Sequence, residues 1–550
     1  MLDPLDGLQD DQLAKDDIRD LERLASERAP YESAWREIDE RFPDGAGGFD
    51  SKSKGDIRGE RNFDPTHITA LERFAAAGVA ITTPEEKDYI RPVFEDEDLA
   101  KLPEVKAWCE YAGRRLYAIR HAMHTGFSVA ANEDWDQLGR YGTSPVYQEA
   151  IGMRGMVYRT LHLSECYIDV DAAGLVDTVL RKVCRTARQC EQEFGFDALT
   201  PKMREALEKN KPHTEFELLH VVMPNTRWDR DAMDWRGKPI ASRYLAVDEK
   251  IYLRRRGFHT MPISVSRHTT SPREKYGRSP GIKMLPTING LNAMRHTTLR
   301  AANKAVDPAL LFYDDDGITS ISTKPGGLNA GLVDEQGRPL VQRMPGGEGS
   351  LPWVSQDIEA ERQIVRTAFL EEFYKILTDP NSRMTTTEVL EVMAKQGVLV
   401  RPYAGRYAME KQHPVTNRDL DLALRAGQIA PFPEVVREAG AWPRIDYENP
   451  LAQMARAEAT GKTLRYIEAL GPLAAIDPEV ADAVDTDAVA QGLGEALGVP
   501  AAYIRSPEVI AARRAKRAED QQAAASVEQL QGGADAYLSL AKANQISEAA

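Results

Sequence analysis

Apolar residues recur at three- and four-residue intervals from near the start of the chain. Ile18, Leu21 and Ala25, then Trp35, Ile38 and Phe42, form one stripe and predict a helix over Asp16–Glu40. The Gly/Ser/Lys-rich stretch Asp44–Gly59 reads as a loop or flexible arm. A second helix is expected from Asp64, with Ile68, Leu71, Phe74 and Ala75 on one face and Gly78 and Thr82-Thr83-Pro84 ending it. A third runs from about Glu104 through Trp108, Tyr111, Leu116 and Ile119 to Met123, and continues less regularly past Phe127 towards Leu138.

The period then falls to two. Ser144–Ala150, Val157–Leu163 and Cys166–Val170 read as strands, followed by a turn at 171–174 and another strand. Thr186–Phe194 returns to a short helix, and Phe216–Met223, Ile251–Leu253 and His259–Ser266 are further strand candidates. Two longer helices, about Leu285–Val306 and Gln356–Leu377, bracket the insert Asp307–Trp353, which holds eight glycines. A compact β-and-turn head between two helices accounts for such an insert better than a long structureless loop. After a polar break at Thr378–Thr385, helices are expected at Thr386–Gln396, Arg418–Ala426 and Pro450–Leu470. The Ala/Gln/Arg-rich tail beyond Ala511 reads as helical and exposed. The fold class is therefore α+β, predominantly helical.

The 550 residues suggest three or four units at roughly 100–200 residues each. They carry 70 Lys and Arg against 85 Asp and Glu, a net charge of −15. That balance argues against tight, non-specific DNA binding, which relies on cations neutralising phosphates. It remains compatible with a protein that lets DNA pass without gripping it. No stretch approaches the roughly 18 apolar residues of a membrane helix, and the acidic N-terminus does not look like a signal peptide. Cys109, Cys166, Cys184 and Cys190 form no Cys-x-x-Cys pair. A soluble cytoplasmic chain without membrane contact is expected.

Candidate chemistry thins under inspection. Gly277-Arg278-Ser279-Pro280-Gly281 spells a G-x-S-x-G nucleophile elbow and raises the alternative of a serine hydrolase using Ser279. That motif uses the N–H of the residue after the serine, and Pro280 has none. Gly461-Lys462-Thr463 ends like a P-loop, but Arg456 stands where the first glycine belongs. His121 and His124 lack the Glu of a zinc helix. Asp314-Asp315-Asp316-Gly317 lacks the remaining ligands of a calcium loop. Arg254-Arg255-Arg256 and Arg513–Arg517 have no interleaved aromatics and read as solvated or inter-subunit surface. No catalytic residue, cofactor or metal is assigned, and a soluble DNA-binding scaffold is the other alternative.

One constellation has a resemblance that extends over most of the chain. Tyr276-Gly277-Arg278-Ser279-Pro280 leads into Leu285-Pro286, Leu291-Asn292 and Lys304-Ala305-Val306-Asp307-Pro308. Trp35–Pro43, Asp64-Pro65-Thr66 through Gly78, Thr160–Leu163, Val176–Val179 and Thr186–Gln189 fit the same pattern. This resembles the podovirus head-to-tail connectors, the portal proteins of T7-like phages, over roughly residues 15–520. His268 and Asp88-Tyr89 depart from it.

The resemblance implies an elongated subunit. Residues 1–276 would form an α+β wing, 277–306 and 355–377 a two-helix stem, and 307–354 a small α/β clip. Residues 378–470 would hold a channel loop and a second part of the wing, and 471–550 a helical crown. Subunits would form a ring, typically a dodecamer, at one capsid vertex of the virion after assembly in the host cytoplasm. Double-stranded DNA would pass through it without sequence specificity. The implied partners are the terminase large subunit, tail adaptors and tail proteins, scaffold and major capsid protein. Tyr276–Pro280 would mark the start of the stem, Asn381, Ser382 and Arg383 the DNA-channel loop, and Asp314, Asp315, Asp316, Arg338 and Arg343 the docking clip.

Overall fold

The structure is a computed structural model that describes residues 4–43, 59–85, 88–150, 155–307, 309–312, 336–343, 351–371, 402–447 and 509–519, with isolated positions besides. Two compact units share the chain: Met1–Tyr89 with Arg115–Ile429, and Ile90–Arg114 with Ala430–Ala550. Each is completed by segments far apart in sequence, so units cannot be counted from length alone.

In the larger unit, helix α1 (Pro4–Arg41) lies on a five-stranded antiparallel sheet. Its strands run in order: β4 (Cys166–Val170), β5 (Val176–Thr186), β6 (Glu215–Pro224), β7 (Ile240–Ala246) and β8 (Ile251–Phe258). Ala14, Leu21 and Leu24 of α1 pack on Leu180, Leu219, Val221 and Leu245. The alternate residues face the other way, where Leu218, Tyr244 and Leu253 meet Cys190, Leu199 and Met203 of the α6 (Ala187–Phe194) and α7 (Pro201–Glu208) region. Thr186 and Gln189 close a capping box that fixes the start of α6. Strand β7 was not anticipated, because Ser242 and Arg243 interrupt its apolar pattern. Arg243 is buried there because Asp17 of α1 meets it at 2.6 and 3.0 Å.

A second sheet has order β3-β2-β9, from Met156–Thr160, Thr143–Ala150 and Ile263–Arg267. Helices α2 (Thr66–Thr82) and α5 (Phe127–Arg140) pack closely beside it. Gly78 does not end α2. It lies inside the helix, where a Cβ would stand 2.3 Å from the Trp135 ring; at Gly139 of α5 one would stand 2.3 Å from Leu71. The single helix expected from 104 to 138 is divided into α4 (Pro103–Arg120), a 3-10 turn at Met123–Thr125, and α5. The divider is Gly126 with φ +67.

Helices α8 (Pro280–Val306) and α9 (Leu351–Ala368) pack against each other. Between them β10 (Leu310–Phe312) pairs antiparallel with β11 (Val341–Arg343), the β element expected of the insert. The second helix starts earlier than anticipated and stops at Ala368 rather than running on to Leu377. Leu370 turns with φ +59, a conformation costly for a non-glycine residue. The turn places Phe369 in the core against Phe42 and Phe74, and the buried Glu371 beside Arg73. A helical run from 402 continues through a π-helical segment, Ala408–Gln412, into α10 (His413–Arg425).

In the smaller unit β1 (Ile90–Val93), followed by the short helix α3 (Glu97–Lys101), pairs antiparallel with β12 (Arg444–Tyr447). The rings of Phe94, Trp108, Phe432 and Trp442 cluster there, and Trp108 Nε1 donates to the Ala430 carbonyl at 3.0 Å. Residues 509–519 are helical and almost wholly exposed, as expected for that part of the tail. The helices anticipated at Thr386–Gln396 and Pro450–Leu470 lie outside the described residues. Among the described residues, no helix is long and apolar enough to cross a membrane.

The close contact of α2 with α5 generates one prediction. Gly78→Val forces two helices apart and should destabilise the chain by about 1–3 kcal/mol. A lowered denaturant midpoint by circular dichroism is expected, and an unchanged midpoint would disprove the packing argument.

Candidate functional site at the base of the paired helices

Tyr276–Pro280 is the point where β-structure hands over to α8. Tyr276 is buried, its ring centroid 5.3 Å from both Tyr31 and Trp35 of α1, and its hydroxyl accepts from the Ile168 N–H at 3.2 Å. Gly277 N donates to Thr143 Oγ1 at 2.8 Å. A Cβ on Gly277 would lie 2.1 Å from the Gly142 carbonyl oxygen, and one on Gly142 (φ +80) would lie 2.6 Å from Ser279 N. Two glycines therefore let two backbones touch where no side chain fits. Arg278 N donates to the Thr269 carbonyl at 2.6 Å, while the Arg278 side chain stays exposed beside Glu274.

Ser279 is the N-cap of α8. Its Oγ accepts from Ile282 N at 2.8 Å and donates to the Arg140 carbonyl at 2.6 Å, and the residue is fully buried. Pro280 follows at the first helical position, where its missing N–H costs nothing. This is a helix anchor: the hydroxyl is already committed at both ends and is out of reach of a substrate. The hydrolase alternative fails on that geometry.

The same base holds a set of buried charges. Arg267, at the end of β9, meets Glu410 at 2.6 Å, donates its backbone N–H to that carboxylate at 2.9 Å, and reaches the carbonyls of Lys275 and Gly174. The next residue, Lys411, pairs with Asp134 of α5 at 3.0 Å, and Gln412 donates to the Thr82 carbonyl at 2.6 Å. In the π-helical segment Glu410, Lys411 and Gln412 are all buried. Burial pulls the Lys411 pKa below its ordinary value, against the opposing pull of Asp134.

On α10, Asp419 receives Arg120 at 2.5 Å, Tyr158 Oη at 2.5 Å and the Gln148 amide. Burial raises its pKa even so, with Arg120 opposing. Arg418 donates to the carbonyls of Gln148 and Thr260. A cavity of about 30 Å³, space for roughly one water, adjoins Arg120, Asp134, Lys411 and Gln412.

The paired helices are tied to this base from the side. Asn292 of α8 accepts from the backbone N–H groups of Phe63 and Asp64 at 2.8 and 3.1 Å. Asp64 in turn receives Arg362 of α9 at 2.7 and 2.9 Å. Burial works against that carboxylate, but hydrogen bonds from Thr66 and the Arg362 pair outweigh it and lower its pKa.

His268, one of the departures from the connector pattern, stacks on Tyr403 at 4.4 Å and meets Phe74 edge-on. His121 packs among Tyr89, Tyr117 and Phe127, a packing histidine as anticipated. Arg254 requires a correction: it is not a solvated arginine. Its guanidinium lies 5.0 and 4.8 Å from the Phe194 and Tyr244 rings, supplied by other elements, so sequence neighbours gave no hint of them.

Of the expected clip residues, Arg338 is exposed and bonds Gln336, and Arg343 closes β11. Asp314, Asp315 and Asp316, and the channel-loop residues Asn381, Ser382 and Arg383, lie outside the described residues. Sequence reasoning missed Arg120, Arg267, Glu410, Lys411 and Asp419, because isolated charges read as solvent-facing whatever element carries them. Among the described residues, no group of three or more His, Cys, Asp or Glu side chains could hold a metal.

A site whose polar groups are paired with one another, and whose serine caps a helix, defines a structural protein that fixes two long helices to a rigid base. The chain belongs to the bacteriophage head to tail connecting protein family, whose sequence pattern matches residues 15–504. It is 25% identical to the portal protein of Salmonella phage epsilon15 over 549 residues, covering 96% of this chain and 95% of that protein. It is 27% identical to a probable portal protein of Bordetella phage BPP-1 over 530 residues, covering 93% and 92%. Among solved structures, the neck of an empty gene transfer agent particle aligns with a TM-score of 0.38 and 11% identity, over 78% of this chain and 89% of that one.

Two predictions concern this base. Ser279→Ala should cost about 1 kcal/mol through loss of the cap, and a fluorophosphonate probe should leave the folded chain unlabelled at Ser279. Stoichiometric labelling would restore the hydrolase. The second is a pH dependence. Burial, then the charge of Lys283, lowers the His268 pKa from 6.5 to about 4. The unfolded chain therefore binds the proton first as pH falls. The contribution of this residue to stability is complete above pH 6.5 and is lost between pH 6.5 and 4, by up to about 1.4 kcal/mol per pH unit. His268→Phe should flatten that part of the stability–pH curve, and an unchanged slope would refute the assignment.

Proposed function

We propose that this chain is the subunit of a portal ring at one capsid vertex of the virion, through which double-stranded DNA enters during packaging and leaves at infection. In this reading the α+β region is the wing, α8 and α9 are the stem, and the insert around β10–β11 is the clip that docks the terminase large subunit and later tail adaptors. Residues 378–385 hold the channel loop, and residues 471–550 form the crown. Scaffold and major capsid protein surround the ring.

The observation that carries the reading is the membership of residues 15–504 in the connector family, set beside a base that fixes two long packed helices. Unpartnered apolar side chains on those helices support a ring. Val306 and Trp353 at their insert-side ends are 87% and 73% exposed, and Leu299 and Ile364 are also exposed. Apolar surface of this kind marks a protein–protein contact. A net charge of −15 suits a conduit, since each phosphate gripped would add a salt-dependent brake on sliding DNA.

Electron microscopy of the negatively stained purified chain should show monodisperse rings with a central hole. A population of monomers only would overturn the assembly. In packaging assays Arg383→Ala should leave rings intact but alter packaging or retention of DNA, and unchanged packaging and retention would remove Arg383 from the channel surface.

A further inference from the structure

Away from the helix base, a cavity of about 260 Å³ opens between the two sheets of the larger unit. Arg159 of β3, Arg185 of β5 and Arg254 of β8 line it with Glu149 of β2, Glu193 of α6 and Tyr244 of β7. Three guanidinium groups thus meet two carboxylates, and both carboxylates are already engaged. Glu193 is shared between Arg185 at 3.2 Å and Arg254 at 3.4 Å, and Glu149 faces Arg256 at 3.9 Å. Arg159 is exposed and makes no ion pair with any described residue. The Nε–H groups of Arg185 and Arg254 are buried and find no acceptor among the described residues. Buried donors almost always have a partner, so two unmatched ones on neighbouring arginines leave the donors of this cluster incompletely satisfied.

The surroundings agree. Arg254 is fixed between the Phe194 and Tyr244 rings, so its guanidinium is held in position before any ligand arrives. His220, stacked on Tyr244 at 4.0 Å, is held neutral first by burial and then by the positive charges of Arg181, Arg254, Arg185 and Arg159.

We propose that this cavity is an oxyanion site, taking one carboxylate or phosphate group on Arg159, Arg185 and Arg254. Planar guanidinium forks suit the paired oxygens of either group. The volume equals that of several waters at about 30 Å³ each, enough for one such group and too small for a nucleic-acid duplex. The same chemistry has two sources: free phosphate, or an acidic side chain of a second copy of this chain. The second source rests on the ring reading.

The test titrates inorganic phosphate into the purified full chain by calorimetry at constant low ionic strength, and measures ring assembly by native mass spectrometry. The variants are Arg159→Ala, Arg159→Glu and, as a control distant in sequence, Arg338→Ala. Arg159 is exposed, so its variants should melt like the wild type; Arg185→Gln gives a second, less exposed probe. If free phosphate is the ligand, it binds saturably, and Arg159→Ala weakens it roughly ten-fold. Arg159→Glu then abolishes binding and Arg338→Ala leaves it unchanged. If a neighbour's carboxylate is the ligand, phosphate binds weakly or not at all. The concentration for ring assembly then rises roughly ten-fold in Arg159→Ala and further in Arg159→Glu. Phosphate binding that is equal in wild type, Arg159→Ala and Arg185→Gln, or no binding together with unaltered assembly, overturns the site. A wild-type chain that forms no rings defeats the ring reading alone, and the phosphate titration then decides the oxyanion site.

Discussion

Neutralisation of charge inside the larger unit is the constraint on which the rest of the structure depends. Arg267–Glu410, Lys411–Asp134 and Arg120–Asp419 are each nearly inaccessible to water, and each joins the segment 402–425 to residues at least 140 positions earlier. A buried charge without its partner is strongly destabilising, so these pairs dictate where that segment can dock. The π-helical turn at Ala408–Gln412 carries Glu410, Lys411 and the adjacent Gln412 into the core in succession. Hydrophobic burial drives collapse, but it does not specify one docking register as sharply as three charge pairs do.

From that base the chain builds outward by steric permission. Gly142 and Gly277 let two backbones meet where α8 begins, and Gly78 and Gly139 let α2 and α5 approach closely. Ser279 then caps α8, while Asn292, Asp64 and Arg362 hold α8 and α9 from the side. Each contact uses a backbone group or a fixed-geometry charge pair, so the anchor is stiff as well as stable. Stiffness at one end and unpartnered apolar residues on the helices are what a subunit needs if its neighbours complete the structure.

Much of the fold was legible along the chain. Strand β4 and helices α2, α6 and α8 follow their apolar periods, and β2 and β6 were found although their central residues are buried on both faces. Helix α1 begins at Pro4, before the expected start at Asp16, because its first turns carry few apolar residues. Failures cluster where polarity and burial part company. Strand β7 was missed because Arg243 is buried through Asp17, which lies 226 residues earlier. The break at Gly126 showed along the chain only as a less regular period past Phe127, and the turn at Leu370 was missed because apolar residues recur across it at Val365, Phe369, Phe373 and Ile376. Arg254 was assigned to the surface because its aromatic partners come from α6 and β7. The Tyr276–Pro280 motif was visible as a family pattern, but its mechanical role was not.

By itself, the sequence determined the alternation of helical and strand periods, the long helix pair around a glycine-rich insert, the absence of a workable nucleophile elbow at Pro280, and the connector resemblance. These depend on local spacing and on backbone chemistry at single residues. Only the tertiary structure decided which charges are buried and with whom, why Ser279 is a cap, and which arginines gather in one cavity. Those facts join residues tens to hundreds of positions apart, and the energy of an ion pair or an unmatched donor depends on its surroundings, which no local pattern encodes.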